Sequence, residues 1–305
     1  MTTDIGLWGV LIAVLGGAVR VGTPFLFVSL GECLTERSGR INLGLEGNLV
    51  MGAMVAYAVS YYSESPFLGV IAAAGSGVVL GFLHAFLCQN KRVSHIAVGI
   101  ALMIFATGLA FFFGKAFIQP TAPRLPAVSL GLWSDSPIIQ AAMEINILFF
   151  IGMAIVPVLY FVLKNTRWGL MVRVAGESDS AARALGFDSR KIRWASTMIG
   201  GAMASIGGAY LSLYYPGSWN EGLSSGQGLM AVALVIFARW NPIYCFFASL
   251  LFGAAAALGP SLQAVGITWG YYLFNAAPYF LTLIILVLSS SADKTLEGMP
   301  GEFTR

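Results

Sequence analysis

Six polar side chains stand inside, or at the edge of, long apolar segments of this sequence. They are Glu32, Asn42, Glu46, Asn48, Gln227 and Asn275. Carboxylates and amides are costly at membrane depth and often mark a functional pathway, where they bind the hydroxyl or N–H groups of a solute. Each also has a structural interpretation. Glu46 could pair with Arg37 or Arg40, Gln227 could cap a helix, and Asn275 could form an interhelical hydrogen bond.

These residues do not suggest an enzyme. The chain has two histidines and three cysteines, and neither an HExxH nor a CxxC pattern. Cys33, Cys88 and Cys245 lie in or at the ends of apolar segments, as small buried side chains do. The stretch 108–116 has neither the spacing nor the Ser or Thr of a phosphate-binding loop. We therefore expect no catalytic residue, metal site or ATPase in this chain.

The elements that position the polar residues are predicted to be membrane-spanning helices. Of the 305 residues, 57% are hydrophobic and 10% are charged, too little charge for the surface of a soluble domain. The apolar residues form blocks of about 20, the helix length that crosses a bilayer. We predict one all-α, polytopic transmembrane domain over residues 1–305, with about nine spans: 18–36, 42–62, 67–88, 95–115, 143–163, 193–215, 224–239, 241–265 and 271–290. Residues 6–17 either extend the first span or lie on the membrane surface.

Lysines and arginines are concentrated on one side of the predicted spans. If residues 164–193 form a cytoplasmic loop, fourteen of the 17 basic residues lie inside: Arg37, Arg40, Lys91, Arg92, Lys164, Arg167, Arg173, Arg183, Arg190, Lys191, Arg193, Arg239, Lys294 and Arg305. Lys115 and Arg124 lie outside, and Arg20 lies in or near the first span. Because basic residues favour cytoplasmic loops, we predict an external N-terminus and a cytoplasmic C-terminus. The proline-rich segment 116–142 is then extracytoplasmic, either an ordered lid or a plain connector.

Two parts of the sequence resemble each other. GLEGNLVMGAMVAYAV (44–59) is followed by Pro66 and a Gly/Ala-rich span, and SSGQGLMAVALVIFAR (224–239) is followed by Asn241-Pro242 and another such span. With the predicted orientation, the first copy runs outward and the second inward. This predicts an inverted-topology repeat, which many transporters build around one pathway. Chance similarity between apolar helices is the alternative.

The loop at 164–193 predicts a short helix. Glu177, Ser178 and Asp179 supply an N-cap and first turn, residues 181–185 favour helix, and Gly186 fits the position after the helix. Small side chains there would allow close docking into a partner, with Leu185 and Phe187 as anchors. A solvated connector is the alternative.

Three motifs in the sequence resemble those of a known family. Glu177-x3-Ala181-Ala182-x3-Gly186 resembles the E-A-A-x3-G coupling segment of the permease subunits of ABC importers. The stretches 166–177 and 36–47, the latter followed by Met51-Gly52-Ala53, resemble the ribose-type and nucleoside-type branch. The resemblance covers nearly the whole chain.

The resemblance implies a function and a set of partners. It implies an ABC-importer permease of the bacterial plasma (inner) membrane, which translocates a nucleoside-like solute by alternating access; riboflavin and simple sugars are alternative solutes. The implied partners are an ATPase subunit that binds ATP and Mg²⁺, a second permease, expected to be a paralogue, and an extracytoplasmic substrate-binding lipoprotein. No cofactor in this chain and no nucleic-acid partner are expected. An ion-coupled secondary transporter is the alternative from another class.

Overall fold

The computed structural model describes residues 6–90, 92–132, 137–264, 270, 273–274 and 276–289. The described part is dominated by helices. They are α1 (Gly6–Arg37), α2 (Leu45–Ser63), α3 (Pro66–Leu87), α4 (His95–Gly114), α5 (Pro137–Ala142), α6 (Ile147–Asn165), α7 (Arg167–Glu177), α8 (Asp179–Ala184), α9 (Ser189–Leu213), α10 (Gln227–Phe237), α11 (Pro242–Ala264) and α12 (Ala277–Ser289).

Five of the described helical segments are long and apolar enough to cross a membrane. They are Leu11–Arg37, Pro66–Leu87, His95–Phe117, Ile147–Asn165 and Pro242–Gln263. Together with the helical content, they make this a multi-pass membrane protein. Residues 6–17 continue into the first span as one helix, α1. The predicted span 224–239 is instead an 11-residue helix, α10, about 16 Å long and so about half the thickness of a bilayer core.

The described parts of the segment 116–142 contain a strand, β1 (Ala127–Ser129), and α5, and β1 pairs with a strand just after the segment to form the one sheet among the described residues. A 3-10 turn (Lys115–Phe117) leads to β1, which pairs antiparallel with β2 (Glu144–Asn146). The Tyr57 hydroxyl donates to the Pro120 carbonyl (2.8 Å), and Ser60 donates to that of Pro123 (3.0 Å). The prediction of an all-α bundle therefore missed a two-stranded sheet, and α6 begins at residue 147 rather than 143 because β2 comes before it.

The bundle is built around α9, which packs against α1, α2 and α3. Glycines allow these backbones to touch: a Cβ at Gly77 of α3 would collide with the Gly201 carbonyl of α9, and one at Gly208 with the Leu49 carbonyl of α2. Close packing through small residues replaces the hydrophobic force that lipid does not supply between helices. Gly77, Gly201 and Gly208 therefore mark helix contacts.

Candidate functional site

Glu46 joins the beginnings of two helices inside the bundle. It lies in the first turn of α2, and its Oε1 accepts hydrogen bonds from the Ser224 hydroxyl (2.5 Å) and the Gly226 N–H (3.1 Å). Its Oε2 accepts a third from the Gly228 N–H (2.6 Å). We call Glu46 and residues 224–228 the junction.

The local sequence makes this approach possible. Gly226 has a φ of +80°, which favours glycine, and a Cβ on Gly228 would lie 2.6 Å from the Glu46 Cα. The N-terminal N–H groups of a helix carry a partial positive charge. Glu46 therefore neutralises the start of α10 and satisfies donors that would otherwise lack an acceptor inside the bundle.

The predicted pairing of Glu46 with Arg37 or Arg40 is wrong. The Arg37 Nε donates to the Trp240 carbonyl (2.7 Å), and Arg40 contacts the His95 ring. The hydroxyl that donates to Glu46 belongs instead to Ser224, which is 178 residues away in the chain. Arg37 and Arg40 were candidates because they are close to Glu46 in the sequence. A contact between residues far apart in the chain leaves no local sequence pattern.

A second polar cluster fixes the non-helical segment between α1 and α2. Glu32 is fully buried in α1, and its Oε1 accepts from the Asn42 N–H (2.8 Å). The Asn42 Oδ1 accepts in turn from the Gly44 N–H (2.9 Å). Among the described residues, the Glu32 Oε2 has no hydrogen-bond partner. Glu32 and Asn42 therefore hold the turn that places Glu46 at the junction.

The Asn48 Nδ2 and the Gln227 Oε1 are buried, and neither has a hydrogen-bond partner among the described residues. Asn48 lies against α9: its carbonyl accepts from Ser205 (2.8 Å), and a Cβ on Gly201 would lie 3.0 Å from its Nδ2. Residues two apart on a helix point to nearly opposite sides, so Asn48 faces α9 and Glu46 faces α10. Gln227 is the first residue of α10, and Gly226 is its N-cap. Asn275 lies outside the described residues.

The C-terminal end of α1 contains polar residues that were not predicted as site residues. Glu36 is buried and accepts a hydrogen bond from the Trp240 indole N–H. The Cys33 thiol donates to the Trp240 carbonyl (3.0 Å). This cluster fastens the end of α10 to α1. The partner that buries Glu36 is 204 residues away in the chain, so no local pattern indicates the contact.

The loop between α6 and α9 contains the predicted short helix, α8, but Glu177, predicted to belong to its start, is the last residue of α7. The Ser178 side chain caps it by accepting from the Ala181 N–H (3.5 Å). Gly186 follows with a φ of +79°, its N–H donating to the Arg183 carbonyl (3.0 Å), while the Phe187 N–H donates to that of Ala182 (2.8 Å). These two bonds form a Schellman ending.

The exposure of α8 corrects the predicted docking residues. Ala182 is fully buried and so is not available as a surface contact, and Phe187 is half-buried against the core. Leu185 is 57% exposed, and Glu177, Ala181 and Gly186 are also exposed. Asp179 and Ser178 are half-buried. The outward face of α8 therefore combines small residues with two large exposed side chains, Arg183 and Leu185, of which Leu185 is the apolar one.

Arg193, which the sequence analysis counted only as a basic residue, connects α8 to the bundle. It is 5% exposed. Its Nη1 pairs with the Asp179 Oδ1 (2.9 Å), its Nη2 donates to the Ala175 carbonyl (2.6 Å), and its Nε donates to the Ser38 carbonyl (3.0 Å). One guanidinium thus links α7, α8, α9 and the end of α1.

Comparisons with known proteins agree with this architecture. A family model described as "Branched-chain amino acid transport system / permease component" matches residues 7–290. A nucleoside ABC transporter permease protein of Lactococcus lactis is 31% identical over 282 residues, covering 87% of this chain and 88% of that protein. A putative glucose ABC transporter permease protein of Haloferax volcanii is 31% identical over 258 residues (83% and 78%), and a guanosine ABC transporter permease protein of Bacillus subtilis is 26% identical over 293 residues (91% and 92%). Lactococcus lactis and Bacillus subtilis each have a second matching permease protein of the same description.

Proposed function

Because the chain belongs to this family of transport-system permease components, we propose that it carries a nucleoside-like solute through the bundle by alternating access at the junction. It is a permease subunit of an ABC importer and not itself an enzyme. The junction is where the solute would contact the chain, and α8 is where an ATPase would act on it.

The observation that carries the proposal is the depth of the junction. Asn48, two residues after Glu46, lies against Gly201 and Ser205. Those residues are near the middle of the 25-residue α9, which is about 37 Å long. Transporters place solute sites near the bilayer midplane, where discontinuous helices expose backbone groups. Glu46, Asn48 and Gln227 are our candidates for solute contact, and Glu32 and Asn42 position them.

We propose that α2–α3 and α10–α11 are the two halves of an inverted repeat. Each half has a helix that begins at the junction and a second helix that begins with proline, Pro66 or Pro242. From the junction α2 runs toward Ser60, which bonds the 116–142 segment, whereas α10 runs toward Trp240, which bonds Arg37 at the inner end of α1. The helices thus leave one point in opposite senses, consistent with about nine spans, an external N-terminus and a cytoplasmic C-terminus.

The solute we favour is a nucleoside. Relatives named for nucleoside and guanosine align with nearly the whole chain. Amide and carboxylate groups at the junction suit the hydroxyl and N–H groups of such a solute. The relative named for glucose is as similar as the nucleoside one, so a simple sugar is the second candidate, and riboflavin the third.

The proposed partners follow from the two ends of the pathway. An ATPase subunit that binds ATP and Mg²⁺ would receive α8 through Glu177, Ala181, Leu185 and Gly186. A second permease, a paralogue, would complete the pathway, in keeping with the pairs of permeases in Lactococcus lactis and Bacillus subtilis. An extracytoplasmic binding lipoprotein would deliver the solute.

The test is uptake into proteoliposomes that contain the chain with its copurified ATPase, second permease and binding lipoprotein. We expect ATP-dependent uptake of a radiolabelled nucleoside, with glucose and riboflavin taken up at least about tenfold more slowly, as for a site that hydrogen-bonds its own substrate. Faster uptake of glucose would replace the nucleoside assignment with the sugar one. Uptake by the chain alone, driven by an ion gradient without ATP, would overturn the importer mechanism in favour of a secondary transporter.

A further inference from the structure

A cavity of about 760 Å³ lies at the inner face, between α8 and the bundle. Its walls come from four parts of the chain: the segment before α2, the turn between α3 and α4, the end of α8, and the beginning of α9. Arg40, His95, Arg183, Phe187, Arg190 and Trp194 are among the lining residues. The cavity is separate from the junction, and the proposed solute pathway does not use it.

The charge of this cavity favours an anion. Four arginines and two aspartates line it. Both carboxylates already have partners: Asp179 pairs with Arg193, and Asp188 caps α9 through the Arg190 N–H (3.1 Å). Arg183 uses only its Nε, on the Asp179 carbonyl (3.3 Å). Among the described residues, the Arg190 guanidinium belongs to no ion pair. Two exposed guanidinium groups can therefore bind a phosphate, for which the arginine fork is well suited.

The cavity also has walls suited to a flat ring. Trp194 lines it and is held from the side by Phe82, with ring centroids 5.4 Å apart and an angle of 87°. Phe187 lines it from the turn after α8, and Gln89 adds an amide that can bond a ring edge. Aromatic faces bind planar rings by stacking. The volume lies within the range of about 300 to 1,000 Å³ typical of small-molecule sites.

We propose that this cavity binds a nucleoside monophosphate from the cytoplasmic side, with its phosphate on Arg183 and Arg190 and its ring beside Phe187 and Trp194. The inference rests on the proposed function for its orientation and for the kind of solute. A cytoplasmic kinase would supply this ligand by transferring the γ-phosphoryl group of ATP to a hydroxyl of the imported nucleoside, which releases ADP and a proton. Because the phosphate would bridge α8 and α9, it would restrain the helix on which the ATPase acts and slow further import.

The experiment measures binding to the full chain, without ATPase or transport. The chain is placed in nanodiscs of phosphatidylcholine and titrated calorimetrically with guanosine monophosphate and with inorganic phosphate. We expect the nucleotide to bind at least about tenfold more tightly than phosphate, since stacking adds to the charge contacts. Arg190→Gln should weaken nucleotide binding about tenfold, the loss of a charged hydrogen bond.

Lys191→Gln is the matched control, because Lys191 is the next residue, has the same charge and does not line the cavity. It should change the affinity less than about twofold, as expected for an exposed charge. An equal loss in both variants would show non-specific attraction and overturn the proposal. Phosphate binding as tightly as the nucleotide would also overturn it, as would loss of nucleotide binding in nanodiscs that contain phosphatidylglycerol, which would assign the cavity to a lipid headgroup. None of these outcomes depends on which solute is transported, so the proposed function is tested separately.

Discussion

The junction and the loop between α6 and α9 each hold a carboxylate, but they hold it by different means. Glu46 at the junction accepts from the Ser224 hydroxyl and the Gly226 N–H, just before α10, and from the Gly228 N–H in its first turn. Asp179 at the loop pairs with the guanidinium of Arg193 (2.9 Å) and accepts from the Ser189 hydroxyl (2.9 Å). Both contacts join segments that the chain brings together from different helices, yet only the loop uses a full positive charge.

The difference reflects the surroundings of the two sites. Burying a cation in the middle of an apolar bundle costs several kcal/mol, whereas helix N-termini are already present and carry partial positive charge. Arg193 is itself buried, but its guanidinium is paired with the Asp179 carboxylate and donates to the Ala175 and Ser38 carbonyls, so its charge is fully satisfied. The comparison teaches that a carboxylate can be held equally by helix N–H groups or by a buried arginine whose other donors have acceptors.

The largest expected effect is at the junction. Glu46→Ala removes the acceptor of three hydrogen bonds, and leaving buried donors unsatisfied should lower the free energy of unfolding by about 3 kcal/mol. Thermal unfolding in detergent, followed by tryptophan fluorescence, measures this. Glu221→Ala, an exposed carboxylate shortly before α10, is the control and should change stability by less than about 0.5 kcal/mol. Equal stability of the two variants would contradict the proposal that the hydrogen bonds of Glu46 stabilise the fold.

The next effect is at the loop. Arg193→Met removes one ion pair and two carbonyl contacts, and because Asp179 is partly exposed we expect a loss of about 2 kcal/mol. Arg193→Lys should have a stability between those of the wild-type chain and Arg193→Met, since lysine keeps the charge but lacks the several N–H donors of the guanidinium. The same unfolding measurement applies. Lys191→Met, whose side chain is 84% exposed, is the control; a comparable loss there would mean that Arg193 has no special place in the fold.

A smaller effect is expected at the cap of α8. Ser178→Ala should cost about 1 kcal/mol, the usual value for an N-cap. Hydrogen exchange at the α8 amides should accelerate, while exchange in α9 stays unchanged. Ser178→Asp restores a capping oxygen and should restore the protection. If α8 exchanges at the same rate with alanine, tertiary contacts alone hold the helix.

The smallest effect on folding is expected at the exposed face of α8. Leu185→Glu should leave stability within about 0.5 kcal/mol but abolish ATP-dependent uptake, because it puts a charge where the ATPase would dock. Leu170→Glu on α7, an exposed leucine of the same loop, is the matched control and should retain uptake. Loss of uptake in both variants, or in neither, would contradict the assignment of the docking face.

Much of this protein could be read from the sequence. Apolar blocks of the right length predicted a helical membrane bundle. The short helix α8 and the Gly186 that follows it were predicted, because Ser178 and Gly186 act through hydrogen bonds with neighbours three to five positions away. Sequence patterns predict such features because the interacting residues are neighbours in the chain.

The tertiary structure alone decided which distant residues meet. Glu46 binds a segment 178 residues later, Glu36 meets Trp240 across 204 residues, and Ser38 meets Arg193 across 155. It also turned Ala182 inward and shortened a predicted span to the 11 residues of α10. A carboxylate has the same local sequence signal whether an arginine or a helix N-terminus satisfies it, so only the packed bundle distinguishes the two.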